Sequence, residues 1–264
     1  MLFSSCLVER QLAGQFVSRW HPPALLVMAP DVVLKQNLKA EEQLERSGMS
    51  RAEKDSVAYF SSLFLKELSD SLLVETYVNA FIQDLRNQGY VVFVESDLDT
   101  FLTWKGEAYV FNMAQLQLEE YIIPLSEQEV FDDTIVYYKK FELNALSINS
   151  WFELSPMNAP ESEPRLLYAS HYLHDYIKGR FTRHPIKGTV VYKYEKRPVD
   201  IRDIYRLTEV LGKKYAGWLT DFFVNNYIQE SLPEGLEPEV RYTYDPGTGK
   251  LRRSWEERFL EMDP

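Results

Sequence analysis

The chain has 264 residues, with 29 Lys and Arg against 40 Asp and Glu for a formal net charge of −11, and 45% hydrophobic residues including 17 Tyr and 15 Phe. That length and composition suffice for a globular core without a metal or a disulfide, while the acidic balance disfavours nucleic-acid phosphates, whose binding needs Lys and Arg gathered on one face. The single cysteine, Cys6, excludes an internal disulfide and any zinc site built on several thiolates, and no run of about 20 apolar residues is present to span a bilayer as a helix.

The first six residues read MLFSSC. Phe3-Ser4-Ser5-Cys6 resembles the end of a bacterial lipoprotein signal, in which small residues let an extended backbone enter the processing enzymes and the thiol takes a diacylglycerol. Phe3 stands where Leu is usual, and the basic and apolar regions that precede such a signal are expected upstream of Met1. The resemblance implies lipid attachment at Cys6, with residues 1–23 as signal remnant and tether and Pro22-Pro23 stiffening its end. Only one early acid, Glu9, follows the cysteine, in place of the acidic run that resembles surface-export signals in Bacteroidota, so the resemblance implies the periplasmic face of an outer membrane. The plainer reading is a buried cysteine in a cytosolic protein.

The body follows from residue 24. ALLVM, ended by Pro30-Asp31, predicts a buried first strand that Val32 to Leu34 extend. The polar stretch NLKAEEQLERSGMSRAEKDS predicts a mobile excursion and then a helix opened by a Ser50/Glu53 capping box. In DSLLVETYVNAFIQDLRNQGY, Leu73, Tyr77, Phe81 and Leu85 repeat every four residues behind Asp70 as N-cap, and Gly89 closes the helix. VVFVE then predicts a strand beside ALLVM, and DLDTFL a short helix. Long strands are expected over Ala108 to Tyr121 and Ile135 to Leu154, the second with a bulge or bend near Ala145 where its apolar phase changes. Leu166 to Ile177 and Thr189 to Tyr194 predict further strands. A long helix from Asp200 carries Ile204, Leu207, Leu211, Tyr215, Trp218, Phe222 and Ile228 on one face. Gly212, Ala216 and Gly217 at its middle fit close packing inside the monomer, or a helix–helix seam between two copies. The segment RYTYDPGTGKLRR predicts a hairpin.

The expected fold is therefore α/β, a mixed sheet with a β-α-β unit, long meandering strands and a long C-terminal helix packed on the sheet. Residues 24–232 form one domain and 233–264 a C-terminal extension with a β-hairpin. VNAFIQDLRNQGYVVFVESDLDTFL resembles the α/β domain of lipoproteins related to the curli secretion channel and the N-terminal domain of TolB. LGKKYAGWLTDFFVNNYI and LYASHYLHDYIKGRF resemble a family of Bacteroidota envelope lipoproteins that brings no known activity.

Motifs for chemistry are sparse. GTGK at Gly247 to Lys250 lacks P-loop spacing and sits between strand-like pieces, so it reads as a turn and not a nucleotide site. His171 and His174 are the one close histidine pair; at an i, i+3 spacing on a strand they point to opposite faces, which makes a shared metal the weaker reading. No GxSxG elbow is present. The carboxylate pairs Glu119-Glu120 and Asp132-Asp133 are strand or loop neighbours that do not converge on one bond. No catalytic residue and no cofactor is expected. Phe223, Tyr227, Tyr242 and Tyr244 are the candidate partner face. These readings combine into a non-enzymatic, lipid-anchored outer-membrane lipoprotein, a subunit or accessory of an assembly or secretion complex that meets a protein partner in the envelope and binds no nucleic acid or nucleotide. Two alternatives stand beside it: a periplasmic hydrolase or metal-binding protein using His171, His174 and carboxylates, and a soluble cytosolic binding domain.

Overall fold

The structure, a computed structural model, describes residues 5–45, 47–131, 135–159, 161–233, 235–256 and 258–262, the side chains of 5–7, 42, 43, 131, 135 and 136 excepted. The element order is α1 (Ser5–Ser18), β1 (Ala24–Met28), β2 (Val33–Asn37), α2 (Leu38–Leu44), α3 (Arg51–Ser61), α4 (Asp70–Asn87), β3 (Val91–Val94), a 3-10 turn (Glu95–Asp97), α5 (Leu98–Leu102), β4 (Ala108–Phe131), β5 (Ile135–Pro156), β6 (Arg165–His174), β7 (Tyr176–Arg183), β8 (Val190–Arg197), α6 (Ile201–Ser231), β9 (Arg241–Asp245), β10 (Lys250–Ser254) and β11 (Leu260–Met262). The expected α/β fold is observed: one mixed sheet in the order β11-β6-β5-β4-β1-β3, with β2 also on β4, and α4 and α6 packed on it.

The β-α-β unit forms as its pattern predicts. β1 pairs in parallel with β3, Leu25 opposite Val92, and α4 makes the crossover. Leu73, Tyr77, Phe81 and Leu85 are all buried beneath it, and Phe81 stacks on Phe111 of β4, which stacks on Phe152 of β5. Full burial of such side chains stabilises by roughly 1.5–3 kcal/mol each. The N-cap is Ser69, whose side chain accepts from Leu72 N–H, and Asp70 is the first helical residue. Gly89 follows the C-cap with φ +94°, a conformation that favours glycine.

Four local expectations change. Val33–Asn37 does not extend β1 but is a separate parallel strand on β4, because the turn at Pro30-Asp31 shifts the chain along the same edge. The stretch before α3 holds a short helix, α2, capped by Asn37, whose side chain accepts from Ala40 N–H and donates to Ala58 O. The register shift lies in β4 between Asn112 and Gln115, whereas β5 pairs without interruption through Ala145. The apolar phase changes there because the covering layer changes: α6 covers Leu146 and Ile148, while Phe141 on the other face meets Tyr192 and Tyr194 of the β7/β8 hairpin. Finally, Leu166 to Ile177 divides at Asp175, which leaves the main sheet with its carboxylate accepting from Asn144 N–H and Val199 N–H and paired with Lys196.

The first segment differs most. Residues 7–23, expected as a connecting tether, are largely helix α1, docked on α6 and the C-terminal hairpin. Leu12, Phe16 and Trp20 recur every four residues, and Phe16 meets Tyr227 while Trp20 meets Tyr90 and Tyr244. Glu9 is buried and its carboxylate accepts from Glu239 N–H at 2.7 Å. The far end of the chain is also integral, since β11 pairs antiparallel with β6 and closes the sheet edge.

Candidate functional site

The helix layer covers one face of the sheet; on the other, the strands β2, β4, β5 and β6 carry a polar array. Strand alternation puts Gln115, Gln117 and Glu119 on that face while Leu116 and Leu118 go to the core. On β5 it puts Ser147, Asn149 and Trp151 there while Ile148 and Phe152 go inward. Register then lines the array up across the strands. Gln36 stands opposite Glu119, Glu119 opposite Ser147, Gln117 opposite Asn149, Asn149 opposite Ser170, and Trp151 opposite Tyr168.

The groups hold one another in fixed orientations. The Glu119 carboxylate accepts from Ser147 hydroxyl at 3.0 Å, Asn149 amide at 2.9 Å and Gln117 amide at 2.9 Å. The Asn149 carbonyl accepts in turn from Ser170 hydroxyl at 2.6 Å and Tyr168 hydroxyl at 3.1 Å. Gln117 also donates to Gln36, which donates to Glu41. Trp151 and Tyr168 lie 4.9 Å apart, centroid to centroid, as an aromatic flank. Gln117, Glu119, Ser147, Asn149, Trp151, Tyr168 and Ser170, with Leu38 and Tyr121, line an open depression of about 460 Å³. Ser147 and Asn149 are themselves buried, and networks of this kind polarise their members and resist rearrangement, so the more accessible Gln117, Glu119, Tyr168 and Ser170 are held in place without the cost of ordering them on binding. Half-buried Trp and Tyr beside them supply contact area at low entropic cost.

The residues singled out in the sequence fall elsewhere. Phe223 and Tyr242 are buried, Phe223 against Tyr109, and Tyr227 and Tyr244 pack on α1. The expected partner face is therefore corrected in part: Phe223 and Tyr242 are buried within the chain, while Tyr227 and Tyr244 are half-covered by Phe16 and Trp20. His171 points to the helix layer, with Nδ1 3.1 Å from Tyr215 hydroxyl and Nε2 2.6 Å from Lys214 Nζ, and burial followed by Lys214 holds its imidazole at about 4. His174 lies on the opposite face, stacked on Tyr172 with Nδ1 on Asp175 O. The two are not brought together, as the i, i+3 spacing on a strand requires, so the shared metal they offered is not assembled. Glu119 and Glu120 separate in the same way. Glu120 is fully buried, accepts from Leu63, Phe64 and Leu65 N–H and pairs with Lys39, which makes it a clamp on the 62–68 turn. GTGK is the turn of the β9/β10 hairpin. Phe3, Ser4, Asp132 and Asp133 lie outside the described residues, as does the Cys6 side chain; the Cys6 backbone is in the first turn of α1.

The polar sheet face had a signal in the sequence: the alternations QLQLE and SINSW place polar and aromatic residues at every second position. Within the α/β class that the sheet and its helix layer define, no protein-family profile matches the chain. A search of curated proteins likewise returned no match. No helix among the described residues is long and apolar enough to cross a membrane.

Proposed function

We propose that the protein is a non-enzymatic binding module of the cell envelope, anchored through a lipid on Cys6, that presents the polar face of its sheet, opposite α4 and α6, to a protein partner in an outer-membrane assembly or secretion complex. The observation that carries the reading is the cross-strand network centred on Glu119 and Asn149 and flanked by Trp151 and Tyr168. It combines fixed polar groups with half-buried aromatic side chains, the composition of a recognition surface. The buried acids support the same reading because they hold backbone groups: Glu9 holds Glu239, Glu120 the turn after α3, Asp175 the exit from β6, and Asp221 the N–H of Tyr244.

Under this proposal the anchor and the body are closely joined. With α1 docked from its first turns, a lipid on Cys6 would hold the body against the membrane surface, where confinement raises the effective concentration of a partner in the same membrane. The test is fractionation of the full-length protein. Cys6→Ser is expected to move it from the membrane pellet to the soluble fraction without loss of fold; retention in the pellet after a carbonate wash overturns the anchor.

A further inference from the structure

A groove of about 350 Å³ lies between the middle of α6 and the β9/β10 hairpin, and its walls carry Lys213, Lys214, Lys250, Arg252 and Arg258 against two carboxylates, Asp221 and Asp245. Five cations to two acids reverses the balance of the whole chain, in which 40 Asp and Glu outnumber 29 Lys and Arg. The cations come from α6, from β10 and from the segment after β10, so the cluster is made by the fold and not by one basic run.

Their charges are incompletely matched. Lys213 pairs with Glu209, one turn earlier on α6. Arg258 comes no closer than 3.6 Å to Asp221, and its Nε is buried with no hydrogen-bond partner. Lys214 Nζ contacts His171 Nε2 at 2.6 Å and lies 4.8 Å from the Trp218 ring centroid, contacts that orient an ammonium without cancelling its charge. Burial, then Arg258, lowers the proton affinity of Lys214 from its ordinary range. Asp245 is engaged by Gly247 N–H and by the Thr248 N–H and hydroxyl of the hairpin turn. Lys250 stands opposite Asp245 across the hairpin and helps to lower the proton affinity of its carboxyl, but forms no direct ion pair with it, and Arg252 forms none among the described residues. Like charges gathered in a concavity repel one another and concentrate a positive field there, which an anion relieves.

We infer that this groove binds a small multivalent anion of the phosphate type, with the guanidinium forks of Arg252 and Arg258 and the ammonium groups of Lys214 and Lys250 as its ligands. Charge complementarity carries the assignment, and the concavity suits a compact anion better than a flat acidic protein surface. Free phosphate compounds and phospholipid headgroups share this chemistry. The site is separate from the polar sheet face, so failure of either leaves the other standing.

The experiment uses the full chain carrying Cys6→Ser, titrated with sodium pyrophosphate by calorimetry and by backbone amide shifts, with a parallel arm of phosphatidylcholine vesicles containing phosphatidylglycerol. Saturable pyrophosphate binding with shifts centred on Lys214, Lys250 and Arg252 is expected, weakening as salt screens the groove. The Lys250→Ala/Arg252→Ala pair, two exposed side chains whose loss leaves the melting curve unchanged, should weaken it about tenfold or more. Vesicle co-sedimentation without pyrophosphate binding, abolished by the same pair, assigns the site to a lipid headgroup. Pyrophosphate binding without co-sedimentation assigns it to a free phosphate compound. No binding in either arm, or binding indifferent to the double substitution, overturns the inference.

Discussion

Gly212 on α6 lies directly against the backbone of Tyr77 on α4: a β-carbon at Gly212 would collide with the Tyr77 carbonyl oxygen and stand 2.9 Å from the Ala80 β-carbon and 3.0 Å from the Phe81 nitrogen. This contact sets the distance between the two helices that cover the sheet. Glycine in a helix interior costs about 1 kcal/mol in propensity relative to alanine, and here the close approach offsets that cost. Of the two uses expected for the small residues on α6, packing inside the monomer accounts for Gly212.

The two glycines of α6 should therefore respond oppositely to alanine. At Gly212 the added methyl meets backbone that cannot yield without shifting α4, so Gly212→Ala should destabilise by about 1–3 kcal/mol. At Gly217 nothing lies within 4 Å of the added carbon, so Gly217→Ala should be neutral or stabilising by up to about 1 kcal/mol. Urea denaturation of both variants checks this, and equal effects would contradict the assignment.

Glu120 makes a second stability prediction. Its carboxylate is fully buried, satisfies three backbone N–H groups and pairs with Lys39. Glu120→Ala leaves those three donors without an acceptor and the mostly buried Lys39 ammonium with only the Asn144 side-chain carbonyl in place of its carboxylate, a loss of about 3–5 kcal/mol. Glu119→Ala, one residue earlier but on the open face, should cost much less. Comparable losses would mean that the polar face is a stabilising core and not a presented surface.

Asp221 and His171 give stability opposite pH slopes. Burial raises the Asp221 carboxyl to about 7, against the Tyr244 N–H and Arg258, which lower it. The native state thus keeps a proton that the unfolded chain releases near pH 4, and the stability present at low pH is lost as pH rises toward 7. His171 is held near 4, by burial first and Lys214 second. Its contribution is present above about pH 6.5 and is lost as pH falls toward 4. Asp221→Asn removes the first slope, so relative to the parent chain it should gain about 1–3 kcal/mol between pH 5 and pH 8. A difference between the two proteins that stays constant over this range would refute the assignment.

Periodicity made the interior legible. The four-residue repeat of Leu73, Tyr77, Phe81 and Leu85, the Asp200 start of α6 and the parallel pairing of ALLVM with VVFVE all follow from patterns that a buried face imposes. The candidate site was harder to read because its residues are neighbours only across strands, and Glu119, Asn149 and Ser170 are brought together by register. The aromatic residues near residue 223 read as a partner face for a related reason. An apolar flank on a helix reads the same whether a partner or a distant part of the same chain covers it, and α1 lies more than 200 residues away in sequence.

The central claim is that the polar sheet face meets a partner, and site-specific photocrosslinking of the full-length protein expressed from its own locus tests it most directly. A photoreactive phenylalanine analogue at Tyr172 or in place of Ser170, both exposed at that face, should yield a discrete higher-mass adduct that diminishes when Trp151→Ala is added. The same analogue at Val210, exposed on α6 in the helix layer, should yield none. Absence of adducts at both face positions, or an equal adduct at Val210, would contradict the account.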